Sequence, residues 1–341
     1  MVWARSHTRP WLTDIKKIGG SFLLTMLIAW GVMLVWWPWA QRSQLLRPLA
    51  ALHRVAQFQW PGAVFFKGRF VLATALPWDY LPTWFALVLP EFYFIALLAG
   101  CYLGGRWLAT RPKALAEIER LVKVGGLICM CCFPVMTAIL LGSTMYNGMR
   151  HFLFLIPLLA VLAGISFAGM LKAHGQRPLT YGIGGLVVLS LGLTAFDMVE
   201  LHPYQSVYFN RVVAGGIPAA ARRFDADYWG NSYKEGAEWV IRHYDHHGPE
   251  NIRVASCSRP FLTGYFLGKT ERLRRTFVMV SPSDHPHLLL STLPVMTLRP
   301  SECRELPEGT IVHTVQRKGT PLLYVMEVRK PLEVPAPEES E

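Results

Sequence analysis

Five apolar stretches fill the first 200 residues, and none of them contains Lys or Arg. They run over 18–38, 81–104, 124–144, 152–171 and 180–198. Each is close to the ~20 residues a helix needs to cross a bilayer core. All 34 Lys and Arg residues fall outside them. A cation at the centre of a membrane helix costs about 2.5–3.5 kcal/mol on insertion scales, so a membrane-spanning chain must segregate its cations in this way. The fold class expected is a polytopic α-helical membrane protein with about five transmembrane helices. A small extracytoplasmic α/β domain follows at the C-terminal end. The expected organisation is a transmembrane region over 1–200 with an external amphipathic loop at 40–80, an outer domain over 201–330 and a disordered acidic tail over 331–341.

Composition narrows the partners. Charged residues are 17% of the chain, against ~25% in soluble domains. The formal net charge is +11. In a membrane protein, anionic lipid is the natural partner for that charge. No helix-turn-helix, zinc-finger or Gly-rich phosphate loop is visible, and no nucleic-acid partner is expected.

Loop cations set the expected orientation. Arg5, Arg9, Lys16, Lys17, Arg106, Arg111, Lys113, Arg120, Lys123, Lys172 and Arg177 lie on one side of the five stretches. Arg42, Arg47, Arg54, Lys67, Arg69 and Arg150 lie on the other. The positive-inside bias places the N-terminus in the cytoplasm and, after five crossings, the C-terminal domain outside. The first stretch ends in Trp36-Trp37-Pro38-Trp39, an aromatic belt rather than a signal-peptide cleavage site.

Local patterns fill in the outer segments. Over 44–58, Leu45, Leu49, Leu52, Val55 and Phe58 share one helical face. That face suits a membrane surface or the protein's own surface equally. In the outer domain, 252–257, 276–281, 310–316 and 322–328 read as strands, with 317–320 as a hairpin turn. Ser232 and Glu235 have the spacing of a capping box for a helix over 233–244.

Several motifs are shared with one family in the same order. They are WPWAQRSQLLRPLAALHRVAQFQWPGAVFFKG, LPWDYLPTWF, YNGMRHFLFLIPLLAVLAG, HPYQSVYFN and DYWGNSYKEGAEW. Over about residues 30–245 the chain resembles the C-terminal half of bacterial GT-C membrane glycosyltransferases. That group is similar to protein O-mannosyltransferases and lipid A aminoarabinose transferases. The resemblance implies hexosyl or pentosyl transfer from a polyprenyl-phosphate sugar at the outer face of a bacterial inner membrane. The lipid-linked sugar would be a co-substrate, with no further cofactor and no metal.

Family members carry an acidic first external loop early in a longer chain, and this sequence has no counterpart. Its first external loop holds Asp79 as the sole carboxylate. Three origins stand open: a truncated frame, a fragment, or half of a split enzyme. The expectation is a chain inactive alone, with a separate N-terminal half or catalytic subunit as partner. The alternative is a non-catalytic membrane subunit or scaffold of a glycosylation complex. A transporter reading is disfavoured because inverted repeats and interrupted helices are not visible.

Candidate residues follow from the chemistry. Breaking a sugar–phosphate bond needs cations on the departing phosphate and a carboxylate for the acceptor proton. Arg150 and His151, in the tight turn between the third and fourth stretches, are candidate phosphate ligands. An Arg merely reaching the headgroup layer is the competing reading. Lys67 and Arg69 form a second candidate pair, against a solvated-loop reading. Asp79 is a weak catalytic candidate and otherwise a helix cap. Glu91 lies inside the 81–104 stretch, where a carboxylate is functional, or else protonated or bonded to a backbone carbonyl that Pro90 leaves free. Asp227, Tyr228, Trp229 and Asn231 form a loop suited to a sugar surface. The histidine groups 243–247 and 285–287 match no metal-ligand spacing. Cys129, Cys131 and Cys132 read as apolar filler, whereas Cys257 and Cys303 can pair in an oxidising compartment.

Overall fold

The computed structural model describes residues 10–109, 115–172, 177–244, 251–257, 259–292 and 308–328. The chain divides into two compact units, residues 1–59 and 60–341. The acidic tail, Cys303 and residues 245–247 lie outside the described residues. Five helices are long and apolar enough to cross a membrane: Lys16–Trp36, Glu91–Ala109, Leu121–Leu140, Leu155–Lys172 and Thr180–Glu200.

The first unit holds α1 (Pro10–Trp36), α2 (Pro38–Gln41) and α3 (Leu46–Ala56). Pro38 stops α1, because its ring cannot continue a helix and suits the first turn of the next one. Arg47 donates to the Trp39 carbonyl at 3.0 Å and lies 5.2 Å from the Trp39 ring centre, which fixes the start of α3. Leu49, Leu52 and Val55 of α3 are exposed.

The second unit opens with a hairpin of β1 (Ala63–Phe66) and β2 (Arg69–Leu72). Its two turn residues, Lys67 and Gly68, both have positive φ, the backbone of a type I′ turn. The helices α4 (Tyr80–Val88), α5 (Glu91–Ala109), α6 (Leu115–Leu140), α7 (Leu155–Lys172) and α8 (Arg177–Glu200) follow. The stretch expected to span the membrane over 81–104 is therefore two helices. Leu89 is extended, as a residue before proline prefers to be. The span starts at Glu91, which lies in the first turn of α5 rather than inside the apolar run. Leu98, Phe133, Val161 and Leu189 on these helices are exposed. That much outward apolar surface suits lipid and not water.

The remaining chain forms α9 (Gly216–Ala220), α10 (Ser232–Tyr244), β3 (Ile252–Ser256), α11 (Pro260–Leu267), α12 (Glu271–Thr276), β4 (Phe277–Met279), β5 (Leu288–Thr292), β6 (Gly309–Arg317) and β7 (Thr320–Val328). The sheet order is β4-β3-β5-β7-β6, with β3 parallel to β4 and β5 and the rest antiparallel. The small α/β domain expected at this end is present. Strand β5 was not anticipated. It is a fully buried run without alternation, which is how a central strand reads. Helix α10 packs directly on β7. A Cβ at Gly236 would sit 2.3 Å from the Leu323 side chain, so only glycine allows this approach.

Ion pairs and hydrogen bonds join the sheet domain to the C-terminal end of α8 and to the α4–α5 break. Asp197, near the end of α8, receives Arg211 through two bonds, Nε–Oδ2 at 2.9 Å and Nη2–Oδ1 at 2.6 Å. Lys318, in the β6–β7 turn, pairs with Asp197 and, at 2.8 Å, with Glu200. Arg317 pairs with Glu235 at 2.8 Å and covers the Tyr204 ring at 4.4 Å. Asn210 is fully buried. Its Nδ2 donates to Ala86 O at 2.6 Å and Leu89 O at 2.9 Å, and its Oδ1 accepts from Val213 N and Ala214 N. Ala86 O is the carbonyl that Pro90, lacking an N–H, cannot bond. Glu91 Oε1 accepts the backbone N–H groups of Arg211 and Val212 at 2.6 and 3.2 Å. One side-chain amide and one carboxylate thus satisfy the break between α4 and α5.

Candidate functional site

The site is built where the α6–α7 turn, helix α4, the β1–β2 hairpin and the loop 224–231 meet. Phe66, Tyr80, Trp84, Phe209 and Phe224 form its aromatic floor. Ring centres are 5.0 Å apart for Phe66–Tyr80, 5.8 Å for Trp84–Phe224 and 5.9 Å for Trp84–Phe209. The hairpin docks on the loop through Gly68 N to Arg223 O at 2.8 Å and Asp225 N to Phe65 O at 3.2 Å. That docking fixes the backbone of Asp225.

The α6–α7 turn contributes Gly148, at φ +67. Its N–H donates to the Tyr80 hydroxyl at 3.2 Å. A Cβ here would stand 3.4 Å from Tyr228 and 3.5 Å from Trp84. Glycine both permits the turn and leaves room for those two rings.

Next in the chain, Arg150 opens a 3₁₀ turn over Arg150–Phe152. Its guanidinium lies 4.4 Å from the Tyr146 ring centre and 5.2 Å from that of Trp229. Trp60 packs against Tyr146 with ring centres 4.8 Å apart and the planes tilted. Among the described residues Arg150 has no carboxylate partner. Its Nε donates to His151 Nε2 at 3.5 Å, and a guanidinium held over rings keeps its remaining N–H groups in plane, a geometry suited to an oxyanion. His151 packs edge-on against Tyr146 at 4.9 Å. Burial, and then the Arg150 charge, push its imidazole below the ordinary range, so it is neutral at pH 7.

The other cationic candidates have different settings. Lys67 is ion-paired with Asp79 and lies over the Phe66 ring. Asp79 occupies the N-cap position of α4, yet its carboxylate makes no cap bond and serves Lys67 instead. Arg69 is exposed at the start of β2.

The sugar-loop candidates separate into two groups. Asp227 is buried and caps α10: Oδ1 accepts from Asn231 N at 3.0 Å, and Oδ2 from Ser232 N at 2.9 Å and Ser232 Oγ at 2.5 Å. The expected Ser232–Glu235 capping box does not form. Ser232 is a donor to Asp227, and Glu235 turns to Arg317 and the Tyr204 hydroxyl. Asn231 donates to Ser206 Oγ at 2.9 Å. Tyr228 and Trp229 face the site. Tyr228 stands edge-on to Trp84 at 6.4 Å, and Trp229 covers Arg150.

Asp225 opens the same acidic aromatic run, just before the Asp227–Asn231 loop that the sequence reading favours. It is half-buried, and among the described residues its carboxylate accepts no hydrogen bond. Burial pushes its carboxyl up to about 6, with Asp227 adding to the shift and Arg259 opposing it. Arg259 donates Nη2 to the Tyr228 carbonyl at 2.8 Å. The Tyr228 hydroxyl is raised chiefly by burial, and it feels both the Asp225 and the Arg150 charges. Asp197 was missed, although the rule that drew attention to Glu91 applies to it: it falls within the 180–198 stretch.

Outside the site, no group of three or more His, Cys, Asp or Glu residues that could hold a metal comes together among the described residues. His287 pairs with Arg253 through backbone and ring nitrogen, and His243 stacks on Trp239 at 4.1 Å. Cys257 is in a disulfide, and Cys101, Cys129, Cys131 and Cys132 are free. Cys303, the partner expected for Cys257, lies outside the described residues. Comparison of the chain with family models, curated proteins and solved structures returns no match, so its chemistry rests on the geometry above.

Proposed function

We propose that the chain is the donor-binding portion of a membrane glycosyltransferase, holding the phosphate of a polyprenyl-phosphate sugar at the outer face of a bacterial inner membrane. The observation that carries this reading is the Arg150 clamp between Tyr146 and Trp229. Residues about 80 positions apart converge on one guanidinium without a carboxylate partner. The clamp lies in the turn between two helices long and apolar enough to cross a membrane. A lipid with a phosphate at the membrane surface meets that position, with its polyprenyl chain beside the exposed apolar helix faces. When the sugar–phosphate bond breaks, the phosphate oxygen keeps the electron pair, and the guanidinium would stabilise the resulting charge.

Binding of polyprenyl phosphate, uncharged polyprenol, phosphatidylglycerol and inorganic phosphate to the purified full chain tests the reading. Polyprenyl phosphate should bind most tightly, and Arg150→Ala should weaken it at least tenfold. Arg150→Lys should also lose most of the affinity, because a point charge lacks the planar fork. Equal binding of polyprenyl phosphate and phosphatidylglycerol, or an Arg150→Ala affinity within twofold of the original, would remove Arg150 from the donor site.

The proposed orientation puts the N-terminus in the cytoplasm and the sheet domain outside. Reporter fusions after Lys172 and after Glu341 should then report opposite compartments. The same compartment from both would overturn it.

A further inference from the structure

We infer that α3 is a membrane-docking element, with its Leu49 and Leu52 face set into an anionic lipid headgroup layer at the Trp36 end of α1. This inference is independent of the Arg150 reading. The sequence leaves two covers open for that face, lipid or the protein's own surface. In the structure Leu45, Leu46, Leu49, Leu52 and Val55 are exposed by 67%, 72%, 54%, 62% and 74%. Five large apolar side chains on eleven consecutive positions are a patch, and a patch of that kind marks a docking face.

Two observations name lipid as the occupant. The first is the tether. Trp36 closes a helix long and apolar enough to cross a membrane, and nine residues, 37–45, separate it from the start of α3. The joint is held by side chains. Gln41 Nε2 donates to Leu34 O at 2.8 Å and to Val35 O at 3.2 Å, two carbonyls that have no further turn of α1 to bond them. Arg47 Nη1 donates to Trp39 O at 3.0 Å, and its guanidinium lies over the Trp39 ring. Helix α3 therefore begins where the span ends, and Val32, Val35 and Trp36 of α1 continue the exposed apolar surface up to it. The second observation is charge. Residues 15–78 contain no Asp or Glu, whereas Arg42, Arg47 and Arg54 lie before and along α3. Arg47 and Arg54 fall on the side of the helix away from Leu49 and Leu52. Cations opposite an apolar face, with no acid among them, suit the headgroups of anionic lipid. A second copy of the chain would bring the same unbalanced cations to the contact and be repelled.

Photocrosslinking of the full chain in vesicles tests the inference. The photoreactive residue p-benzoylphenylalanine is placed at Leu52, or at Ala50, which two residues earlier falls on the opposite side of the helix. The vesicles are phosphatidylcholine with one quarter phosphatidylglycerol, and the adducts are identified by mass. The Leu52 probe should give at least about fivefold more lipid adduct than the Ala50 probe. Phosphatidylglycerol should be enriched about twofold over its share of the vesicle, and Arg42→Gln with Arg54→Gln should remove the enrichment while keeping the adducts. Crosslinks from Leu52 to the same chain or to a second copy would overturn the inference, as would lipid adducts no more frequent than from Ala50, or none at all. Adducts that follow the bulk lipid ratio would overturn its anionic part.

Discussion

Asp197→Ala should destabilise the second unit by about 3 kcal/mol or more, measured by denaturant-driven unfolding in mixed micelles. The Asp197 side chain is almost wholly buried and holds Arg211 by two bonds and Lys318 by an ion pair. Removing one partner of a buried pair leaves uncompensated charge, a cost of ~3–5 kcal/mol. The lower end applies because Lys318 keeps Glu200 and Arg211 can reach water. The loss should centre on the β6–β7 turn, which Lys318 ties to α8, so protease cleavage near 317–320 should accelerate first. Lys234→Ala is the contrast. Its partner Glu238 is 3.9 Å away and both groups are exposed, so the expected change is under ~0.5 kcal/mol. An Asp197→Ala variant within 1 kcal/mol of the original would show that the sheet domain is held mainly by apolar packing.

Asp225→Asn should do the opposite at neutral pH and raise stability by about 1–3 kcal/mol. The Asp225 carboxyl titrates at about 6 in the folded chain, against 3.8 when unperturbed. Each unit is worth ~1.4 kcal/mol. A group raised in the folded state favours folding while protonated. Its contribution is complete below about pH 4 and is lost as the pH climbs through 6. Asn lacks the ionised form, so the stability gain over Asp225 should be full near pH 7.5 and vanish near pH 4. Tyr80 and Tyr228, both raised by burial, stay neutral in that window. Asp227 is the remaining carboxylate facing Asp225, so unfolding curves of Asp225→Asn between pH 4 and 8 also report how far the two couple. A pH-independent difference would mean that Asp225 is ionised at no cost.

The five apolar helices were legible in sequence because lipid imposes one rule along the whole chain: no cation in the core and about 20 apolar residues per crossing. The long strands and their turn were legible for an equally local reason, since alternation and a Lys-Gly turn are read within a few residues. Arg150 and Trp229 could each be picked out as a residue type with a motif around it. Their pairing could not, because it depends on a turn after α6 meeting a loop before α10.

Tertiary structure alone decided four matters. Pro90 splits the second apolar stretch, and the split is viable because Asn210, 120 residues on, bonds the carbonyl that proline leaves open. Glu91 is satisfied by backbone N–H groups from the same distant loop. Asp227 rather than Ser232 caps α10, since its carboxylate reaches three donors at once. Asp225 and Asp227, neighbours in one acidic aromatic run, take different roles according to the donors around them. Local pattern fixes where a chain must be apolar. The fate of a polar group is set by which distant partner reaches it, and that is a property of the packed chain.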